Sequence, residues 1–194
     1  MIVTIHFHGP FRIGTGDSRP GLGATVDRTE LVPTTSLKGV MRASAERLLL
    51  PKRPDVVRAV FGAPRQPSPW HWGPVEFAGG PAEPGISSRA RVELDPQTGT
   101  AIPSHLVVAE EVTVPSATAR FAVERFDVLP AGLDESTHLA VLACAAAGVH
   151  ELGAGRSRGL GWISCTTADP TVDDETLDVL EGLLAQPTPE GGTG

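Results

Sequence analysis

Gly153-Ala154-Gly155-Arg156-Ser157-Arg158-Gly159-Leu160-Gly161 places four glycines around two arginines, between an apolar helical pattern at 134–150 and a strand-like run at 160–166. Two readings of this stretch are open. A helix can end on a glycine and enter a tight turn, with both arginines in solvent. Alternatively, a backbone without Cβ atoms presses its N–H groups against another chain, and the planar guanidinium forks take phosphate oxygens. A second element far upstream, Thr34-Thr35-Ser36-Leu37-Lys38-Gly39, bears on the choice.

Outward from the loop the pattern is mixed. Val3, Ile5 and Phe7 alternate with Thr4, His6 and His8, the period of a half-buried strand. Residues 9–33 are rich in Gly and Pro and show no period, and a loop of that length inside a compact domain is usually functional or disordered. A helix is expected from near Ser36, capped by Thr35 or Ser36 and stopped by Pro51, followed by a short helix at 54–61. Val75-Glu76-Phe77 reads as a strand, and Trp70-His71-Trp72 as part of a Pro-rich loop. Residues 86–95 and 104–114 flank Pro96-Gln97-Thr98-Gly99 as a β-ribbon with a turn at its tip. A strand near 118–128, the 134–150 helix with Asp134 as N-cap, the 160–166 strand and a terminal helix at 173–185 complete the chain.

This order predicts an α+β fold: a ferredoxin-like (RRM-like) βαββαβ core with a ribbon inserted at 86–114 and a C-terminal helix. Residues 1–186 form one domain, with 9–33 as its functional loop and 187–194 as a flexible tail.

The chain has 194 residues, room for a substantial core. Its formal net charge is −7, but the charge is unevenly spread. Residues 1–80 carry +4, residues 81–194 carry −11, and no basic residue follows Arg158. Nucleic-acid binding depends on where phosphates meet the surface, so the total permits it without arguing for it. The longest apolar run, Leu139 to Val149, is too short to span a bilayer, and the N-terminus has no leader pattern. A cytoplasmic protein without membrane attachment is the expectation. Cys144 and Cys165 have no zinc-like spacing.

Other chemistries are weaker. Gly14-Thr15-Gly16 lacks the ending of a phosphate-binding P-loop, and Gly153-x-Gly155 follows a helix where a dinucleotide fingerprint follows a strand. His6 and His8 point to one face of a strand and could share a metal, though a polar sheet face is the commoner role. Trp70 and Trp72 could stack on bases, but core cover is favoured. Lys38 and Arg42, four apart beyond a helix start, form with Ser36 either a phosphate seat or an exposed basic face. Asp27 in the long loop could hold a divalent ion or help activate a ribose hydroxyl. A solvated loop aspartate is the ordinary alternative, and Asp17 competes.

Taken together, these residues resemble the RAMP superfamily of CRISPR-associated proteins. Pro33 to Arg42 is similar to that family's SLKG helix start, Gly153 to Gly161 to its C-terminal glycine-rich loop, and Phe61-Gly62 to the FG closing its first helical region. The segment from Arg89 to Phe126 occupies the place of the thumb-like ribbon in backbone subunits of type III effector complexes. The resemblance implies a Csm- or Cmr-type subunit that binds guide RNA through Ser36, Lys38, Arg42, Gly153, Gly155, Arg156, Ser157, Arg158 and Gly159. Its implied partners are guide RNA, target RNA, further copies of itself and other RAMP subunits. Gly23-Ala24-Thr25-Val26-Asp27 is similar to a family GxxD, which makes Asp27 the implied catalytic and metal-binding residue for target cleavage with Mg2+ or Mn2+. A non-catalytic structural RAMP subunit and a guide-processing RAMP endoribonuclease are the alternatives.

Overall fold

The structure, a computed structural model, describes residues 1–17, 22–78 and 83–187, with backbone alone at 93–94 and 103–105. The tail expected at 187–194 lies beyond Pro187 outside the described residues, as does Gly21 in the long loop.

Strand β1 (Ile2–Phe7) sits between β6 (Thr118–Arg125) and β7 (Ile163–Ala168), antiparallel to both. Strands β2 (Trp70–Trp72) and β3 (Glu76–Phe77) pair with successive parts of the far edge of β6. Taken as one interrupted strand, they complete the order β2/β3-β6-β1-β7, the ferredoxin-like arrangement expected from the element order. Alternation decides the faces. Val3, Ile5 and Phe7 on β1 and Ala119, Phe121 and Val123 on β6 point into the core. The intervening residues of both strands form the opposite, open face.

Helices α1 (Thr34–Leu49), α2 (Pro54–Phe61), α3 (Glu135–Ala147) and α4 (Asp174–Ala185) complete the fold. Helix α3 is buried almost all round, and its alanines let α1 approach closely: a Cβ at Gly148 would collide with Ser44 Oγ. Arg53, nearly fully buried, ties the end of α4 to the α1–α2 junction. It donates to the Leu183 carbonyl at 2.9 Å and pairs with Asp55 at 2.8 Å. Both cysteines are free.

Several boundaries differ from the sequence reading. Helix α1 starts at Thr34 with Pro33 at the cap position, not Thr35 or Ser36. The Pro33 carbonyl already accepts the Ser36 and Leu37 N–H groups, and the Glu30 carboxylate takes the Thr34 N–H at 3.1 Å. Helix α3 stops at Ala147, and β7 begins only at Ile163, because Gly161 at φ +75° is not in an extended conformation. Strand β6 ends at Arg125. Trp70-His71-Trp72 is a strand rather than a loop, with both indoles buried. Trp70 Nε1 donates to His138 Nδ1 at 3.0 Å and Trp72 Nε1 to Met41 Sδ at 3.3 Å, so core cover is their role.

The inserted ribbon is a separate two-stranded sheet, β4 (Gly85–Leu94) against β5 (Ala101–Thr113). Asp95 Oδ1 accepts the Gln97 and Thr98 N–H groups in its tip turn, and Gly99 takes the left-handed φ of +66°. The described parts of the 9–33 loop lie against the ribbon's root. Phe11 pairs with Val112 and Ala24 with Ala109 on β5, while Gly14 pairs with Val26 inside the loop itself. Phe11 is fully buried and stacks on Phe7 at 5.0 Å.

Candidate nucleic-acid interface

The four glycines of the 153–161 loop do different work. Gly155 (φ +82°) and Gly159 (φ +77°) bracket a single 3₁₀ turn, Arg156–Arg158, which presents both arginines to solvent. Gly153 (φ +81°) and Gly161 (φ +75°) serve the protein's own packing. A Cβ at Gly153 would strike the Arg12 carbonyl, and one at Gly161 the Leu152 carbonyl. The Ala154 N–H donates to Arg12 O at 2.7 Å and the Gly161 N–H to Pro10 O at 2.9 Å. Around Gly159 a Cβ would meet nothing, so the Gly159 side of the turn is open for another chain.

That packing brings three arginines from distant sequence together. Arg12 lies on the long loop, Arg91 on β4 and Arg158 on the glycine-rich turn. Arg12 is half-buried, and its guanidinium is pushed below its ordinary pKa by burial first, then by the like charges of Arg91 and Arg158, against the pull of Glu111. Glu111 is buried, pairs with Arg89 Nε at 3.0 Å, and keeps its Oε2 without a hydrogen-bond partner among the described residues. Gathered guanidiniums that repel one another favour an incoming anion, which would relieve the repulsion. Arg12 and Arg91 were missed by motif reading. Their one sequence signal is Arg89-x-Arg91, which puts two arginines on the same face of a strand.

Arg156 pairs with Glu151 at 3.1 Å. Between this turn and α1 lies a cleft of about 280 Å3, lined by Val40, Ala43, Arg47, Val149, His150, Glu151 and Arg156. Arg47 donates to the Gly148 carbonyl at 2.8 Å, which makes it the α1 cation nearest the turn.

Lys38 and Arg42 face elsewhere. The Lys38 ammonium lies 5.1 Å from the centre of the Trp72 ring, and burial, then Arg42, lowers its pKa. Arg42 donates to Glu46 and to the Gly62 carbonyl. Both point toward β2 and the end of α2, nearly opposite the Val40–Arg47 row. Ser36 is half-buried, and its N–H is bonded inside the first turn. The structure therefore separates Lys38 and Arg42 from Arg156 and Arg158 by the width of a helix.

Asp27 caps its own loop. Oδ1 accepts from the Thr29 hydroxyl at 2.6 Å, the Thr29 N–H at 2.8 Å and the Glu30 N–H at 3.2 Å. These bonds, the hydroxyl first, hold its pKa below the ordinary aspartate value, so it is ionised and oriented. Its neighbours join the loop to the ribbon: Glu110 accepts from the Val26 N–H at 3.0 Å and from Arg28 at 2.6 Å. Among the described residues no three His, Cys, Asp or Glu side chains come together as a metal cage. His6 and His8 instead meet Thr166 and Ser164 across the open sheet face, at 3.3 and 2.9 Å.

A family model described as the RAMP superfamily matches residues 4–164. The chain belongs to the RAMP superfamily. A solved structure, the cryo-EM structure of the type III-B Cmr-beta bound to cognate target RNA, contains a chain that superposes on this one with a TM-score of 0.59. The match is 12% identical and covers 84% of this chain and 95% of that one. It shows the fold. No curated protein matches this RAMP chain in sequence. Among its described residues no helix is long and apolar enough to cross a membrane.

Proposed function

We propose that this RAMP protein is a guide-RNA-binding backbone subunit of a type III CRISPR effector complex, working beside other copies of itself and other RAMP subunits on guide and target RNA. The observation that carries the reading is that Arg12 on the long loop lies within the field of both Arg91 on the ribbon and Arg158 on the glycine-rich turn. Each comes from a different segment, and each segment packs on the next. The likeness to a subunit of an RNA-bound Cmr complex supports the same reading.

The geometry redistributes the work among the residues. Arg12, Arg91 and Arg158 form a phosphate seat, with the exposed turn at 157–159 leaving room for a backbone. Arg156 and Arg47 extend the basic surface along α1. Lys38 and Arg42 lie on the other side of α1, where they would meet a later segment of the same RNA, whereas Ser36 shares the face of Val40, Ala43 and Arg47 toward the turn.

Asp27 stands as the proposed carboxylate for cleavage of base-paired target RNA, because it is ionised, held by three hydrogen bonds and next to the ribbon root. The side chains around it do not make a divalent-cation site by themselves: among the described residues no three His, Cys, Asp or Glu side chains gather there, and one Asp27 oxygen is already engaged.

One experiment in the assembled complex tests both parts. Arg12→Ala with Arg158→Ala should lower guide-RNA retention across all sequences and reduce its salt dependence. Asp27→Asn should leave retention unchanged and abolish target cleavage. Unchanged retention in the arginine double variant would overturn the phosphate seat, and persistent cleavage in Asp27→Asn would overturn the catalytic assignment.

A further inference from the structure

The chain has three tryptophans, and the structure uses them unequally. Trp70 and Trp72 are 5% and 4% exposed, whereas Trp162 is 61% exposed. A large aromatic ring left in water lacks the explanation that covers single surface leucines or valines.

Its position is defined on every side. Ile163 points into the core, so Trp162, Ser164 and Thr166 belong to the outward row. The Trp162 carbonyl accepts the His8 N–H at 2.9 Å, and Trp162 is bridged to Glu151, the partner of Arg156. The indole therefore stands at the corner where the open sheet face meets the basic turn. Beyond it the row continues with His8 on Ser164 and His6 on Thr166, polar groups able to donate or accept.

We propose that Trp162 is a base-stacking platform for single-stranded RNA whose phosphates are held at Arg156 and Arg158. The proposal rests on the RNA-binding reading above and adds to it a base contact, which that reading lacks. The surroundings select the ligand. A docking protein would be met by further apolar side chains around the ring, but here the ring stands beside the Glu151–Arg156 ion pair on one side and histidines and hydroxyls on the other. A flat hydrophobic face beside fixed positive charge suits a nucleotide, with its base on the ring and its phosphate on the guanidinium. The His8–Ser164 pair then lies in reach of the base edge. Stacking of this kind tolerates any base, as a subunit repeated along a guide requires.

Because the other two indoles are buried, an RNA-dependent change in the intrinsic fluorescence of the full-length protein reports largely on Trp162. Titration with a short oligoadenylate RNA, with filter retention measured in parallel, supplies two independent readouts. The expected result is quenching that saturates together with retention. Trp162→Ala should weaken binding roughly 5- to 100-fold with an unchanged far-UV spectrum and an unchanged salt slope, and Trp162→Phe should recover most of that loss. Arg156→Ala with Arg158→Ala should flatten the salt slope instead. Retention without quenching, with Trp162→Ala binding like the parent, would overturn the stacking proposal and leave the RNA-binding reading intact. No retention by any form would overturn that reading and the proposal with it. A blue shift that grows with protein concentration and ignores RNA would mean that another protein surface covers the ring, and would also overturn it.

Discussion

At Gly161 and Gly153 the left-handed backbone and a carbonyl oxygen against the α-carbon act together, so neither position has room for a methyl group. Gly159 shares the left-handed φ but faces open space. Substitutions at Gly159 and Gly161 therefore separate strain from collision. Gly159→Ala should cost about 1–2 kcal/mol of stability, the left-handed penalty alone. Gly161→Ala adds displacement of the Leu152–Gly161 pairing and should cost roughly 2–4 kcal/mol. Denaturant midpoints at a common m-value make the comparison, and equal costs at both positions would remove the distinction. Sequence pattern found this loop but not the division of labour within it, since a glycine required by a neighbouring carbonyl looks the same as one required by a ligand.

The ribbon and the long loop behave as one unit because a buried carboxylate joins them. Glu110 on β5 takes the Val26 N–H through one oxygen and Arg28 through the other. Glu110→Ala would leave that buried N–H without its acceptor, at a cost of about 1–3 kcal/mol. Amide exchange should quicken over residues 22–28 while the amides of β1 and β6 stay protected. Uniform quickening across the sheet would mean that Glu110 supports the whole core instead. Legibility in the sequence followed the range of the interactions. The alternation of Val3, Ile5 and Phe7, the Asp134 cap and the ribbon with its turn at Pro96–Gly99 are short-range features, and they were read close to their true positions. The 9–33 loop carried no period because isolated bridges to β5 and to the glycine-rich turn organise it. Trp70-His71-Trp72 was hidden by its brevity and by the prolines around it. Arg12 and Arg91 could not be assigned, since only tertiary packing brings them to Arg158. Lys38 and Arg42 carried a family motif, yet helical geometry turns them toward Trp72 and Gly62, away from the turn.

Across the whole molecule, the sheet and the helical layer are joined by a hydrogen bond whose acceptor can titrate. His138 on α3 is fully buried and accepts the Trp70 indole N–H at Nδ1, which places its own proton on Nε2, where no partner is found among the described residues. A second proton would have to enter at Nδ1 and displace Trp70. Burial accordingly lowers its pKa below the ordinary 6.5, with Asp134 and Glu135 opposing the shift only in part. The sign follows from which state binds protons more readily. Below about pH 6.5 the unfolded chain protonates this imidazole while the folded one does not, so the unfolded state gains. Stability contributed by neutral His138 is complete above that pH and declines as pH falls toward the folded pKa. One proton limits the slope to about 1.4 kcal/mol per pH unit. The depressed carboxylates Asp27, Asp55, Asp134 and Asp173 lose their contributions only at lower pH, as they protonate near and below the ordinary aspartate value of 3.8, so the two windows separate. Unfolding free energies measured between pH 7.5 and 5.5 should therefore fall in the parent. They should fall less steeply in His138→Gln, whose amide oxygen can still accept from Trp70 but cannot titrate. Equal slopes in the two proteins would show that His138 admits a proton without disturbing the joint between sheet and helices.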